Sequence, residues 1–192
     1  MKKLLFFVCA VLAIFGCGGD TDDLPCWGCW EKSSNSSGLS SGSSGSVSYG
    51  GQTYNTVKIG NQTWFAENSN SNCNKYGRLY DWSTAMAFPL GCNSNTCSSQ
   101  TQAKHKGICP SGWHIPSQAE TSYIGGEFSA LPGGYVGSNG GFYSVSNYGY
   151  WWSASEYSVN NAYYRSMGYG SEYASLDDDD KSRLFSVRCV KD

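Results

Sequence analysis

Two stretches decide the fold: GICPSGWHIPSQAE at residues 107–120 and LFSVRCVKD at residues 184–192. In the first stretch, Ser117 and Glu120 have the spacing of a capping box, so the sequence predicts a short helix that begins there. In the second stretch, apolar and polar side chains alternate, which predicts a β-strand with Cys189 on its buried face. The two stretches therefore predict ordered elements that lie far apart along the chain.

The region from 49 to 192 has the size of one ordinary domain. It is rich in Gly, Tyr, Trp, Ser and Asn and low in charge, which favours short strands joined by ordered loops. Residues 53–59 and 62–66 flank a Gly-Asn pair and predict a β-hairpin, because that pair supplies the positive φ of a two-residue turn. A second short helix is expected over 82–88, before a proline. We expect an α+β fold of short antiparallel strands, two short helices and long ordered loops.

Residues 1–16 have the composition of a signal peptide. A basic start precedes an apolar run of about a dozen residues, which is too short to span a bilayer as a permanent helix. The sequence Ile-Phe-Gly-Cys at 14–17 resembles a bacterial lipobox, in which the signal is removed before the cysteine and the cysteine is acylated. We predict a lipidated Cys17 and an extracytoplasmic domain anchored to the bacterial membrane, at the outer membrane or cell surface. An ordinary cleaved secretion signal is the alternative.

Residues 17–48 carry the predicted lipidated cysteine and a segment rich in Ser, Gly, Asn and Asp. Such a segment cannot bury enough apolar surface to offset chain entropy, so we expect a flexible tether with a reach on the order of 30 Å. Within it, Cys26 and Cys29 form a CxxC motif that has no second CxxC and no nearby His. A local disulfide between them, or pairing with another chain, is favoured over a zinc or redox centre.

The charge of the chain argues against nucleic acid as a partner. Removal of residues 1–16 takes away Lys2 and Lys3 and leaves 15 acidic and 11 basic side chains, a formal charge of −4. Because phosphate binding is driven by clustered Lys and Arg, we expect neither nucleic acid nor anionic lipid head groups to bind. Contact with the membrane is expected through the lipid anchor, and the oligomeric state is left open.

An exported domain is expected to oxidise its remaining thiols to disulfides. A bridge between Cys92 and Cys97 would close a small loop, and a bridge between Cys109 and Cys189 would join the middle of the chain to the terminal strand. Cys73 is then the odd thiol: it is free, paired with one cysteine of the CxxC motif, or paired with another chain.

Aromatic residues give the strongest indication of a function. Sugar rings lie with their apolar CH faces on Trp and Tyr while polar side chains bind the hydroxyl groups, and residues 143–173 mix those residue types densely. The opposing interpretation is that a small β-rich domain fills its core with aromatic side chains. Our candidates for ligand contact, with the four aromatic ones expected to be exposed, are Trp152, Glu156, Tyr157, Tyr163, Arg165 and Tyr169.

The densest charge on the chain is the run of aspartates at positions 177–180. Four carboxylates offer hard oxygen ligands to calcium, but adjacent side chains on an extended segment point to opposite faces. A solvated acidic loop is therefore favoured over a calcium site formed by Asp177, Asp178, Asp179 and Asp180. No other metal or cofactor is expected, because the histidines His105 and His114 lack the spacing of metal ligands or of a catalytic triad.

Seven ordered segments carry a family resemblance: YGGQTYNTVKIGNQTWFAEN, KYGRLYDWSTAMAF, GICPSGWHIPSQAE, LPGGYVGSNGGFY, GYWWSASEY, AYYRSMGYG and FSVRCVKD. In that order they resemble the Fibrobacter succinogenes major paralogous (FISUMP) domain over residues 49–192. The resemblance implies a secreted or lipid-anchored bacterial surface protein of undefined activity. More distantly, GWHIPSQAE and FSVRCV are similar to segments of formylglycine-generating enzymes, which implies a C-type-lectin-like fold. The catalytic cysteine pair of those enzymes has no matching position here, so no enzymatic role is implied.

These observations favour a non-catalytic, lipid-anchored surface module that binds glycan or another surface partner. An enzyme related in fold to formylglycine-generating enzymes is one alternative, and a structural surface-coat protein without a small ligand is another. An enzyme should show polar groups that converge in one pocket, whereas a glycan binder should show exposed aromatic side chains on a shallow groove.

Overall fold

The computed structural model describes residues 45–69 and 76–192, which form a sheet-rich α+β fold. Their helical elements are one short α-helix, α1 (Trp82–Ala85), and 3-10 helices at Leu90–Asn93, Ser98–Gln100, Glu120–Tyr123 and Gly126–Phe128. Their strands are β1 (Gly45–Tyr49), β2 (Gln52–Ile59), β3 (Gln62–Phe65), β4 (Leu79–Tyr80), β5 (Tyr135–Val136), β6 (Phe142–Tyr143), β7 (Tyr148–Glu156), β8 (Asn161–Gly168), β9 (Ala174–Asp180), β10 (Phe185–Ser186) and β11 (Val190–Lys191). The expected α+β class is confirmed.

The strands form two larger sheets and one small one. Their orders are β1-β2-β3-β11, β4-β10-β7-β8-β9 and β5-β6. The neighbouring strands are antiparallel except β10 and β7, which run parallel. Because β10 pairs with β4 and β7 while β11 pairs with β3, the final residues of the chain belong to both larger sheets.

The opening hairpin agrees with the sequence prediction. β2 and β3 pair antiparallel, with Ile59 opposite Gln62, so the turn between them has two residues. Gly60 has a φ of +58°, the left-handed conformation that glycine adopts without steric cost.

β1 extends the folded region further toward the N-terminus than the sequence predicted. Residues 45–48, which composition assigned to the tether, pair with β2, and Ser48 lies opposite Thr53. The edge of β2 presents backbone donors and acceptors that pair with a segment of almost any composition. Tether-like composition therefore does not exclude a strand at this position.

The helix expected over 82–88 is confirmed in place but is shorter. It begins after Asp81, whose carboxylate accepts a hydrogen bond from the Thr84 backbone N–H at 3.0 Å. It ends at Ala85, and Ala87 has a φ of +55°, which an α-helix cannot accommodate. The chain thus leaves the helix before it reaches Pro89.

The helix expected after residue 116 is a 3-10 helix. The predicted capping box is present, because the Ser117 N–H donates to Glu120 Oε2 at 2.8 Å and the Glu120 N–H donates to Ser117 Oγ at 3.3 Å. The Thr121 and Ser122 hydroxyls donate to backbone carbonyls three residues earlier, at 2.7 and 2.6 Å. These local bonds compete with α-helical hydrogen bonding and account for the tighter turn.

Two apolar clusters fill the interior, and β7 contributes to both. Trp151 packs with Phe128 in one cluster, and Trp152 packs with Phe185 in the other. Consecutive strand residues point to opposite faces, so the double tryptophan shows that both faces of β7 are covered. Both rings are buried, and their indole N–H groups donate to Asn68 Oδ1 (2.7 Å) and Tyr80 O (2.8 Å).

Two of the predicted disulfides are confirmed among the described residues, Cys92–Cys97 and Cys109–Cys189. Disulfides of this kind are typical of proteins in oxidising compartments. The predictions for Cys17, for the Cys26–Cys29 pair and for Cys73 fall outside the residues that the structure describes. None of the helices in 45–69 and 76–192 is long and apolar enough to cross a membrane.

Candidate functional site

The structure contradicts the expected exposure of Trp152. Its side chain has 0% relative exposure, and its ring lies 4.3 Å from that of Phe185, centroid to centroid. A strand with only one covered face would expose every second residue, but each face of β7 packs against one of the two apolar clusters. Trp152 therefore belongs to the core and cannot contact a ligand at the surface.

Glu156 also has a structural role. Its carboxylate pairs with the ammonium group of Lys181, and the two side chains are 5% and 0% exposed. It further accepts hydrogen bonds from the backbone N–H groups of Cys97 (3.0 Å) and Ser98 (2.9 Å). Although burial opposes ionisation, the bond from Lys181 lowers the pKa of Glu156 below its usual value. Because its oxygen atoms are occupied by these internal donors, Glu156 is a poor ligand-binding candidate.

Three of the other candidates lie together on one face of the sheet. The rings of Tyr157 and Tyr163 meet edge to face at 5.2 Å. Tyr157 is 55% exposed, as expected, whereas Tyr163 is half-buried, because its ring packs against that of Tyr157. Arg165 lies two residues further along β8 and donates from Nε to Thr121 Oγ1 at 3.1 Å. Tyr169, which is 76% exposed, lies beyond the other end of β8 and does not join this group.

The aspartate run is part of β9 and is not a loop. Each of its residues pairs in register with a residue of β8. The side chains alternate in direction: Asp178 accepts a hydrogen bond from Asn161 at 2.8 Å, whereas Asp179 pairs with Arg183 at 2.8 Å. Within the described residues, no group of three or more His, Cys, Asp or Glu side chains could hold a metal ion.

The structure reveals a groove that was not among our candidate residues. It has a volume of about 260 Å³ and lies over the β5–β6 hairpin, at the side of the five-stranded sheet that carries Tyr150 and Tyr164. Its lining residues are Tyr135, Gly137, Ser138, Asn139, Tyr143 and Arg183. We call it the tyrosine groove.

The stacked tyrosines that line the groove follow from strand register. Tyr135 and Tyr143 are opposite each other in β5 and β6, so their rings stack with centroids 5.2 Å apart. The Tyr150 ring meets the Tyr135 ring edge to face, with centroids 4.9 Å apart. On the far side of Tyr150, the Tyr148 ring lies 6.3 Å from the Tyr150 ring. Tyr143 and Tyr148 are 41% and 47% exposed. The rings therefore form a continuous aromatic series with exposed members at both ends.

The hairpin loop holds Tyr143 in a defined position. Asn139 donates from Nδ2 to the Tyr143 hydroxyl at 2.7 Å and accepts from the Gly141 N–H at 3.0 Å. A Cβ atom added at Gly137 would lie 2.9 Å from the Tyr143 ring, so only glycine lets the ring lie this close to the loop. The groove is therefore largely preformed.

Charge in the groove is concentrated on the side of β9. The Arg183 guanidinium lies 5.5 Å above the Tyr135 ring and is held by the Asp179 carboxylate. Burial, together with the charges of Asp177 and Asp179, raises the pKa of Tyr164 to about 12. The carboxylates thus produce a negative potential on this side, which Arg183 only partly offsets.

A second pocket, of about 440 Å³, lies between the β2–β3 turn and Glu120. The carboxylate of Glu120 contacts His114 Nε2 (2.9 Å) and accepts from Gln62 Nε2 (3.1 Å) and from the Ser117 N–H and hydroxyl (both 2.8 Å). Although burial opposes ionisation, the bonds from His114 and Ser117 lower the pKa of Glu120 to about 2. The Ser117 hydroxyl donates to Glu120 and not to His114, so this cluster lacks the order of a nucleophile, base and orienting acid.

Sequence reasoning missed Tyr135, Asn139 and Arg183. Tyr135 and Asn139 lie in the segment LPGGYVGSNGGFY, which was noted only for its family resemblance, and Arg183 is 40 residues beyond Tyr143. The signal that could have located the groove is the glycine-rich turn between two aromatic strand candidates, which predicts a short hairpin with stacked rings.

Comparison of the chain with protein-family models, with curated proteins and with solved structures finds no match in any of the three. The function is therefore inferred from the geometry of the sites themselves.

Proposed function

We propose that this chain is a non-catalytic glycan-binding module and that the tyrosine groove is its ligand site. The observation that carries the proposal is the stacked Tyr135–Tyr143 pair, which lies beside the polar groups of Asn139 and Arg183 in one shallow groove. Aromatic faces bind the CH faces of sugars, and a few polar groups fix the orientation of the hydroxyls.

Preorganisation supports this function. Asn139 and the glycine-rich loop fix Tyr143 before a ligand arrives, so little side-chain entropy remains to be lost on binding. The series of rings from Tyr143 to Tyr148 offers more than one stacking position. An oligosaccharide should accordingly bind more tightly than a monosaccharide.

The chemistry of the remaining polar clusters supports a binding role over the enzyme alternative. Glu156 is paired with Lys181, and Glu120 is saturated by four hydrogen-bond contacts. Both carboxylates are thereby held in structural networks. Glu120 lines the pocket of about 440 Å³, but its partners there lack the order of a nucleophile, base and orienting acid. A surface-coat protein without a ligand would have no use for a preformed aromatic groove.

The cellular setting is part of the same proposal. The ordered sequence segments support membership of the FISUMP family and a C-type-lectin-like fold. The lipobox supports attachment of the module to the bacterial membrane through Cys17, at the outer membrane or cell surface. The Cys92–Cys97 and Cys109–Cys189 bridges are compatible with export. A polysaccharide or another surface molecule is then within reach of the domain.

The experiment is a glycan-array and polysaccharide pull-down with the full chain and three variants. Tyr143→Ala removes an exposed stacking ring, and loss of one such contact, worth about 0.5–1.5 kcal/mol, should weaken binding by about 2- to 10-fold. Tyr143→Phe keeps the ring and should retain most of the affinity. Tyr169→Ala is the control, because it removes another exposed tyrosine, 76% exposed against 41% for Tyr143, that lies away from the groove.

Failure of the wild-type chain to bind any polysaccharide would overturn the proposal, and so would equal losses for Tyr143→Ala and Tyr169→Ala. Each measurement is repeated with a calcium chelator. Because the β9 carboxylates alternate in direction and the groove is lined by other groups, binding should not change when calcium is removed.

A further inference from the structure

Beside the tyrosine groove, strand β9 carries an excess of negative charge. Asp177 and Asp179 are two residues apart on β9, so both side chains lie on the face of the sheet that carries Tyr164. Asp177 is exposed, and the Asp177 carboxylate contacts the adjacent Asp178 N–H at 2.9 Å. The Arg183 guanidinium on the rim is already paired with Asp179 at 2.8 Å. The cation of the groove is therefore neutralised, while the charge of Asp177 remains.

On the basis of the proposed function, we infer that the groove binds uncharged glycan chains in preference to chains that carry uronate or other carboxylate groups. A carboxylate on a sugar in the groove would be repelled by the charge of Asp177 on the neighbouring strand and would have to compete with Asp179 for Arg183. At the effective dielectric constant of a protein surface, about 20, like charges about 16 Å apart repel by about 1 kcal/mol, which corresponds to about a fivefold loss of affinity.

The pKa of Tyr164 agrees with this arrangement of charges. Its hydroxyl ionises with more difficulty than that of an ordinary tyrosine because of burial and because of the charges of Asp177 and Asp179, whereas Arg183 acts in the opposite direction. The carboxylates outweigh the guanidinium at this ring. The Tyr164 ring in turn lies 5.9 Å from that of Tyr150, which contacts Tyr135 in the lining of the groove.

The test compares neutral and carboxylated forms of the same backbones by isothermal titration calorimetry with the full chain. The probes are cello- and xylo-oligosaccharides, their carboxymethyl or glucuronosyl counterparts, and polygalacturonate in methyl-esterified and de-esterified form. We expect the neutral member of each bound pair to bind about fivefold more tightly at low salt. The difference should shrink at 1 M salt, where the screening length falls to about 3 Å.

Two variants locate the effect. Asp177→Asn removes one charge from β9 beside the groove but keeps an oxygen that can accept the Asp178 N–H, and it should reduce the preference for neutral chains. Asp178→Asn removes the same charge from the other face of β9, where Asp178 contacts Asn161, and should leave the preference unchanged.

The outcomes separate this inference from the function on which it rests. Binding of no glycan, neutral or charged, overturns the glycan-binding function itself. Binding of carboxylated chains as tightly as neutral ones, or an equal effect of Asp177→Asn and Asp178→Asn, overturns the charge selectivity and leaves the glycan-binding function in place.

Discussion

At the scale of single residues, Glu120 links a buried cluster to acid stability. Burial opposes its ionisation, but hydrogen bonds from His114 and Ser117 lower its pKa from 4.5 to about 2. A depressed carboxyl pKa stabilises the folded state at pH values above 4.5, and this contribution is lost as pH falls toward 2. Glu120→Gln should lower the free energy of unfolding at pH 7 by about 1–3 kcal/mol. Urea denaturation at pH 7 and pH 3 measures the effect.

The control for Glu120 is Glu172→Gln, which changes an exposed carboxylate. It should leave stability at both pH values nearly unchanged. Because the Glu120 contribution is present at pH 7 and partly lost at pH 3, the stability gap between wild type and Glu120→Gln should narrow at the lower pH. A gap of the same size at both pH values would contradict the role assigned to the ionised carboxylate.

Trp152 makes the second prediction at this scale. Because its ring is buried against Phe185, Trp152→Ala should destabilise the fold by about 3–5 kcal/mol. Tyr148→Ala removes a ring that is 47% exposed and should cost less than about 1 kcal/mol. Thermal and urea unfolding of both variants test the difference. Similar losses for the two would show that Trp152 is not a core residue.

The contrast between Trp152 and Tyr157 shows what a sequence pattern can predict for single residues. Period-two alternation assigns side chains to the two faces of a strand, but it does not tell which faces are covered. β7 is covered on both faces, so both of its tryptophans are buried, whereas Tyr157 follows the end of the strand and is exposed. The capping box at Ser117 and Glu120 was predictable because its bonds join residues three apart.

At the scale of secondary-structure elements, β9 is an edge strand that protects its own open side. The backbone N–H groups of Asp178 and Asp180 donate to the carboxylates of the preceding residues, Asp177 (2.9 Å) and Asp179 (2.8 Å). Asp177→Val removes one such carboxylate and should increase self-association, because an uncapped edge can pair with another chain. Asp178→Val removes an equal charge but leaves the carboxylate of Asp177 in place. Sedimentation velocity should therefore show more dimer or larger species for Asp177→Val. Equal association of the two variants would assign the protection to charge alone.

The same strand explains why some elements could not be predicted. Aspartate has a low β-propensity, so four in succession indicate a solvated loop. Pairing with β8 overrides that preference, and β1 likewise forms on the edge of β2 despite a tether-like composition. The β2–β3 hairpin was predictable because its Gly-Asn turn and its pairing are local, whereas partners for β1 and β9 are set by tertiary contacts.

At the scale of the whole molecule, the tyrosine groove combines residues that the sequence separates. Tyr135 and Tyr143 come from one hairpin, while Arg183 comes from the connection between β9 and β10. Arg183 lies close to the hairpin because Val136 and Leu184 form a β-bridge and because β10 is part of the five-stranded sheet. Such a site requires the complete topology. Residue types and spacing therefore led to the hypothesis of a glycan ligand but could not locate the groove.

The Cys109–Cys189 disulfide is the constraint that should matter most for this long-range topology. It spans 80 residues, whereas Cys92–Cys97 spans 5. In the loop-entropy model the long bridge stabilises the fold by about 4.5 kcal/mol and the short one by about 2 kcal/mol, because a longer closed loop restricts the unfolded chain more. Replacing both cysteines of the long bridge with alanine should thus lower the free energy of unfolding about twice as much as the same change in the short bridge. Urea denaturation of the two double variants gives the comparison, and glycan binding below the unfolding transition reports whether the groove persists. Equal losses for the two bridges would show that the terminal strand is held by the packing of Phe185 and Val190 and not by the covalent link.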